Sequence, residues 1–269
     1  MNFSKRKELL HSAIVASLKA GSEILDVYQS DDFEIQLKLD DSPLTIADQR
    51  AHAAIVSIID NLGIPVLSEE GIHSNYEERK SWKQCWIVDP LDGTKEFIKR
   101  NDEFTVNIAL IDGGKPVAGV IYVPVFRQLY FADIELGAFR MDNIENWERS
   151  IEDLIQASRQ MPFEQNREEI RVLGSRSHMN KETQLYIEEL KKEYPKLHII
   201  SKGSSLKLCL IAENEADIYP RFSPTMEWDI AAGHAIVSAS GAKVLHIDSE
   251  TELTYNKEDL LNPFFMCKR

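Results

Sequence analysis

Trp86-Ile87-Val88-Asp89-Pro90-Leu91-Asp92-Gly93-Thr94 is the stretch on which the reading of this chain turns. An apolar run ends in two aspartates three residues apart, and a glycine and a threonine open Thr94-Lys95-Glu96-Phe97, which can be helical. Proline cannot donate to a sheet ladder, so Asp89-Pro90 is read as closing a strand over residues 85–88. Carboxylates held at a strand end around a bent loop can share a hard cation such as Mg²⁺, while free N–H groups at a helix start can hold phosphate oxygens. A plainer reading is a turn in which Asp92 caps the short helix, and the nine residues alone do not decide between the two.

Upstream, the apolar run 65–68 delivers Glu69-Glu70, adjacent acids that repel unless a cation or solvent separates them. Thr45-Ile46-Ala47-Asp48 matches a capping box, opening a helix whose stripe is Ala51, Ile55, Ile58, Ile59 and Leu62 and which ends at Gly63. Leu10, Ile14, Leu18 and Leu25 mark an amphipathic first helix; Lys5-Arg6-Lys7 before Leu9-Leu10 superficially resembles a secretion signal, but His11, Ser12, Ser17 and Lys19 interrupt it. Downstream, 104–111, the turn Asp112-Gly113-Gly114-Lys115-Pro116, 117–123 and 128–132 read as an antiparallel meander. Strands over 171–173, 197–200 and 216–219 then alternate with helices over 181–192 and 206–212, as in a layered α/β unit. Between these halves, 142–167 is polar and acidic, a boundary or an excursion between sheets. Trp228-Asp229-Ile230-Ala231-Ala232-Gly233 opens a small-residue helix, and by itself Asp229 reads as an N-cap. The expected fold class is α/β: an α+β half over 1–140 with an antiparallel sheet and the metal-binding acids, and an α/β half over 141–269 contributing Asp229, together one compact unit.

The chain has 269 residues, 43% hydrophobic and 28% charged, which suits an ordinary folded protein with a sizeable core. Its net charge of −13 repels phosphate backbones and argues against nucleic-acid partners. A small anionic substrate then needs basic side chains or a metal inside the site to reverse the field. Cys85, Cys209 and Cys267 stand singly in apolar surroundings and read as reduced, buried thiols. No apolar run approaches the ~18 residues of a membrane span, so cytoplasmic residence is the expectation.

Together, Leu67-Ser68-Glu69-Glu70, the 86–94 stretch and Trp228-Asp229-Ile230-Ala231-Ala232-Gly233 resemble the signature motifs of the inositol monophosphatase superfamily of metal-dependent phosphatases. Residues 93–100 continuing into 103–111, with Gly203-Ser204-Ser205-Leu206-Lys207 and Tyr219-Pro220-Arg221, look like its bacterial CysQ-type 3′(2′),5′-bisphosphate nucleotidases. The resemblance runs from the first helix to Leu261-Asn262-Pro263 and implies a layered αβαβα fold. It further implies two or three Mg²⁺ ions per active site: one held by Glu69, Asp89 and the Leu91 carbonyl, another by Asp89, Asp92 and Asp229, a clamp suited to the attacking and leaving oxygens. Thr94 and Asp48 match the pair that orients and deprotonates the attacking water, with Glu70 as a supporting base. The Gly93 and Thr94 amides would bind the transferred phosphoryl group, and Glu69, Leu91, Asp92 and Asp229 would share its contacts. Ser204 and Lys207 match nucleotide-contacting positions, while Arg221 and His178 are candidates for the uncleaved 5′-phosphate or the base. Taken alone, Lys207 and Arg221 also read as surface charges with buried stems, and His178 as a loop histidine.

The activity so implied is hydrolysis of the 3′-phosphate of adenosine 3′,5′-bisphosphate, extending to 3′-phosphoadenylyl sulfate, with lithium inhibition and a place in sulfur metabolism. An inositol or sugar phosphate monophosphatase on the same scaffold is the alternative, against which Lys95-Glu96 argues; a non-catalytic nucleotide-binding protein is a third. The expected partners are a small nucleotide and at most a second copy of the chain, as monomer or homodimer. No stable membrane insertion is expected, although peripheral association with the cytoplasmic face of the inner membrane is implied for some relatives and Lys5-Arg6-Lys7 could act locally there.

Overall fold

The computed structural model describes residues 1–30, 35–37, 43–72, 74–144, 148–175 and 180–269. Helix α1 (Phe3–Tyr28) is followed by a short antiparallel pairing of β1 (Gln36–Leu37) with β2 (Pro43–Leu44) and by α2 (Ile46–Ile59). Then come β3 (Val66–Ser68), α3 (Tyr76–Arg79), β4 (Gln84–Asp92), α4 (Thr94–Ile98), β5 (Thr105–Asp112), β6 (Lys115–Val123), β7 (Gln128–Asp133), β8 (Gly137–Met141), α5 (Ile151–Ala157) and β9 (Arg159–Met161). Strands β3 to β9 form one seven-stranded sheet in sequence order, parallel only between β3 and β4. The remainder comprises β10 (Ile170–Ser175), α6 (Lys181–Glu193), β11 (Leu197–Lys202), α7 (Leu206–Ala212), β12 (Ile218–Arg221), α8 (Glu227–Ala239), β13 (Lys243–His246) and β14 (Phe265–Lys268). Its five strands run in the order β11-β10-β12-β14-β13.

Alternation along the central strands assigns each face of the large sheet its own core. Trp86, Val88, Val106, Ile108, Leu110, Val120 and Tyr122 pack with α1 and α2. Cys85, Ile87, Ala109, Ile111, Ile121 and Val123 pack instead with α7, α8 and the inner face of the second sheet. Beyond that sheet, Ile187 and Leu190 of α6 cover Val172. The layers are therefore α, β, α, β, α. Such burial on both faces explains the unbroken apolar run Ile108-Ala109-Leu110-Ile111 in β5, a pattern that sheet strands facing water do not show. Helix α8 lies hard against β6: a Cβ on Gly119 would come within 2.5 Å of the Ala232 carbonyl oxygen, which is why this contact is made of Gly and Ala.

Two expectations are corrected. Pro90 does not end its strand; β4 continues to Asp92 through a bulge, with Asp89 opposite Asn107 and Asp92 opposite Thr105, so the residue without an N–H falls where the ladder is already interrupted. The stretch 142–167 is not merely a connection, because α5 packs on the first core and β9 extends the large sheet at its edge.

On α8, buried His234 pairs through Nδ1 with the Tyr255 hydroxyl at 2.8 Å, and burial pushes its pKa down to about 4. The unfolded imidazole takes up its proton near pH 6.5 and the folded one only near pH 4, so stability is lost as pH falls through that window. At about pH 5 the expected loss is about 2 kcal/mol. Denaturant unfolding at pH 7 and pH 5 should show His234→Gln losing less than the wild type by about this amount; equal losses would refute the assignment.

Candidate active site

The end of β4 and the starts of three helices meet at one edge of the large sheet. Thr45 caps α2 and Asp48 reaches back to it: Asp48 Oδ2 accepts from the Thr45 amide at 2.7 Å and from its hydroxyl at 2.6 Å. The other oxygen is thereby left facing away from the cap, and Asp48 Oδ1 accepts from the Thr94 hydroxyl at 3.2 Å. The same Thr94 hydroxyl lies 3.3 Å from the Leu91 carbonyl. Asp48 thus caps its helix and meets Thr94, two roles divided between two oxygens.

Asp229 repeats the device at α8. It is not the N-cap: Met226 is, and Asp229 at the third helical position accepts from the Met226 amide at 2.8 Å. The start of α8 is anchored from both sides. Asn262 donates to the Met226 carbonyl at 2.6 Å, and fully buried Glu227 accepts from the Asn256 amide at 2.6 Å. Asp92 does not cap α4, whose N-cap is Gly93 at φ +92°. Its carboxylate turns the other way, accepting from the Ser205 amide at 2.6 Å and from the Ser204 hydroxyl.

Asp89 is buried, with its Oδ1 accepting from the Leu91 amide at 3.1 Å. Burial first, then the fields of Glu69, Asp92, Asp229 and Asp48, push its carboxyl well above the ordinary carboxylate range. Asp229 is raised by burial and by Asp92 in the same way. Glu69 is delivered by continuation of the β3/β4 pairing, its amide donating to the Val88 carbonyl at 3.0 Å. The charge of Glu70, the next residue, acts on the half-buried His52, whose Nδ1 lies 2.9 Å from the Ser68 hydroxyl.

Five carboxylates so placed require compensating charge. The donors are oxygens throughout, with no histidine or cysteine among them, which suits a hard cation such as Mg²⁺ and not zinc. Among the described residues no three such side chains are closed tightly enough to hold an ion as they stand. The set is near enough to be felt at Asp89 without closing into a shell.

Two adjoining clefts share Asp92, Gly93, Glu96 and Asp229 as a common wall. One contains Glu69, Asp89, Leu91 and Thr94. The other is closed by Lys202, Ser204, Ser205, Tyr219 and Arg221. Arg221 donates from Nη2 to the Pro224 carbonyl at 3.2 Å, while its buried Nε has no partner within the protein. Lys207, expected at the nucleotide, points inward: it is buried, and its ammonium donates to the carbonyls of Ser204 at 2.7 Å and Lys202 at 3.2 Å, beneath the cleft floor. Burial lowers its pKa to about 8 against the pull of Asp92. A long basic side chain can bury its head when backbone carbonyls receive it, and here they do. His178 lies outside the described residues.

Sequence reasoning missed Thr105, Asn107, Ser205 and Glu103. Thr105 Oγ1 lies 2.7 Å from Ser205 Oγ and 2.9 Å from Ser204 Oγ, and Asn107 Oδ1 accepts from both Thr105 and Ser205. Asn107 Nδ2 is buried with no protein partner. The signal was present: two polar residues two apart on one face of an otherwise apolar central strand, opposite Asp92 and Asp89.

The description of the inositol monophosphatase family fits residues 5–264. The 3′(2′),5′-bisphosphate nucleotidase CysQ of Salmonella typhimurium is 44% identical over 260 residues, covering 96% of this chain and 98% of that one. A crystal structure of CysQ from Bacteroides thetaiotaomicron, a bacterial member of the inositol monophosphatase family, superposes with a TM-score of 0.91 at 51% identity and covers 97% of each chain. The extragenic suppressor protein suhB from Bartonella henselae follows at a TM-score of 0.72 and 25% identity, covering 96% of this chain and 92% of that one. With acids at one sheet edge, αβαβα layers around them and similarity along nearly its whole length, this chain belongs to the inositol monophosphatase family.

Proposed function

We propose that this protein is a Mg²⁺-dependent 3′(2′),5′-bisphosphate nucleotidase that hydrolyses adenosine 3′,5′-bisphosphate to AMP and phosphate and also accepts the 3′-phosphate of 3′-phosphoadenylyl sulfate. The observation that carries this reading is the Thr94 to Asp48 hydrogen bond beside the buried Asp89 carboxylate, in a chain 44% identical to a nucleotidase over nearly its full length. Glu69, Asp89 and the Leu91 carbonyl would hold one cation, and Asp89, Asp92 and Asp229 a second, with Asp89 shared. Bound there, Mg²⁺ supplies charge neutralisation at the phosphoryl oxygens and acidifies water.

The protein's own groups supply the rest. A water that donates to Thr94 Oγ1 is aligned toward the phosphorus, and its proton passes through that hydroxyl to Asp48, which already accepts from it. The water oxygen bonds to phosphorus as the bond from phosphorus to the 3′-oxygen breaks, and the 3′-oxygen takes a proton from solvent. Gly93 and Thr94 present their amides to the phosphoryl group from the wall of the first cleft. Glu70, beside His52, supports the acidic side as a secondary base. The second cleft, with Arg221 and Ser204, receives the remainder of the nucleotide.

Phosphate release from adenosine 3′,5′-bisphosphate and from inositol 1-phosphate, measured side by side with Mg²⁺ and then with EDTA, tests the assignment. The nucleotide should be favoured in kcat/KM by at least about tenfold, and EDTA should abolish release. Preference for inositol 1-phosphate, or release that survives EDTA, would overturn it.

A further inference from the structure

The turn over residues 202–205 forms one wall of the second cleft, and two buried charges of opposite sign grip it from opposite sides. Glu103, 6% exposed, accepts from the Gly203 amide at 2.8 Å and from the Lys202 ammonium at 3.3 Å. From beneath, Lys207 gives its protons to the carbonyls on either side of Gly203, those of Lys202 and Ser204. A carboxylate thus takes the turn's N–H and an ammonium takes its C=O groups, and charge-assisted bonds of this kind are about twice as strong as neutral ones.

The turn has reason to need such a grip. Ser204 holds φ +50°, a left-handed conformation that a side chain disfavours. A Cβ on Gly203 would stand 3.1 Å from Glu103 Oε2 and 3.2 Å from Glu96 Cγ, so glycine is what lets the carboxylate come in against the backbone. Held this way, Ser204 and Ser205 point one set of donors at Asp92 and present the turn's outer surface to the cleft. Thr105, two residues beyond Glu103, meets the same two serines.

We propose that Glu103 is a positioning residue that, with Lys207 beneath, fixes the 202–205 turn so that it recognises the nucleotide portion of the substrate; the substrate class rests on the nucleotidase reading above, the clamp itself on geometry. Glu103 lies two residues before β5.

The test compares wild type, Glu103→Ala and Glu103→Gln as Mg²⁺-loaded full chains, by amide hydrogen exchange and by kinetics on adenosine 3′,5′-bisphosphate and p-nitrophenyl phosphate. In Glu103→Ala the amides of 203–205 should exchange about tenfold faster or more, with α1 and β5 unchanged. Its KM for the nucleotide should rise about tenfold while that for p-nitrophenyl phosphate moves less than about threefold, since the smaller substrate does not reach the turn. Any fall in kcat, transmitted through Asp92, should be shared by both substrates. Glu103→Gln still offers an acceptor to Gly203 and should recover most of the KM. Unchanged exchange at 203–205, or an equal rise in KM for both substrates, overturns the proposal. If the wild type releases no phosphate from the nucleotide, the nucleotidase reading fails, and the exchange experiment alone then decides whether Glu103 holds the turn.

Discussion

Asp89→Asn should lower kcat/KM by about 10³-fold or more and, at the same time, make the metal-free protein more stable. The two halves of this expectation have one cause. Asp89 is the acid on which the fields of Glu69, Asp92, Asp229 and Asp48 converge, and burial denies it water to spread the charge. In the nucleotidase reading that concentration of charge is what draws cations into the site, and Asp89 is the ligand shared by both. Without cations it must either stay ionised against burial and those fields or take up a proton that the unfolded chain does not hold at neutral pH, and either opposes folding. Asparagine keeps the shape and an acceptor for the Leu91 amide and removes the charge. Relief of about 1 to 4 kcal/mol is expected, each kcal/mol moving the melting temperature by roughly 2 to 4 °C. Mg²⁺ should reverse the order: at about 100 times its dissociation constant it adds about 2.7 kcal/mol to the wild type and much less to the variant. Melting curves with EDTA and with Mg²⁺, alongside phosphate release, read both halves. A variant that keeps its turnover, or one that is less stable than wild type in EDTA and gains as much from Mg²⁺, would contradict the assignment of Asp89.

The local parts of this site were legible in the sequence because local physics determines them. Thr45-Ile46-Ala47-Asp48 spells a capping box and forms one, and the apolar run before Asp89 is the central strand it was read as. Convergence was not legible. Ser204 and Ser205 close on Asp92 across separations of 112 and 113 residues, and no short-range pattern specifies that meeting. The resemblance to a family supplied it, and similarity along the chain upheld the family. Pro90 misled because the rule that proline stops a strand has an exception at bulges, and whether a strand bulges depends on its partner's register. Lys207 was placed at the nucleotide by the family resemblance and, taken alone, read as a surface charge with a buried stem; its burial depends on the carbonyls of a turn that sequence alone does not shape. Thr105 and Asn107 were the missed opportunity, since polar residues on one face of an apolar strand need partners wherever the strand is buried.

Replacing Thr94 with alanine should cost about 10²-fold or more in kcat, and adding Asp48→Asn should cost little beyond the worse of the two single changes. The hydrogen bond between them motivates this. If the proton of the attacking water leaves through the Thr94 hydroxyl to Asp48, the two residues form one path, and a path broken at either point is already broken. Independent contributions would multiply instead, giving a double variant worse by the product of the two losses. Asp48→Asn carries a second effect that must be separated. Asp48 Oδ2 takes both the Thr45 amide and its hydroxyl, and asparagine, with one acceptor oxygen, serves the cap or Thr94 but not both. A stability loss of about 1 kcal/mol is therefore expected from Asp48→Asn and not from Thr94→Ala. Thr94→Ser keeps the hydroxyl and should retain most of the rate. Measuring kcat at saturating Mg²⁺ and substrate for all four proteins of the cycle, with melting temperatures beside them, keeps capping apart from proton transfer. Multiplicative losses would mean that Thr94 and Asp48 serve the reaction separately, and the relay would have to be abandoned even though the hydrogen bond between them stands.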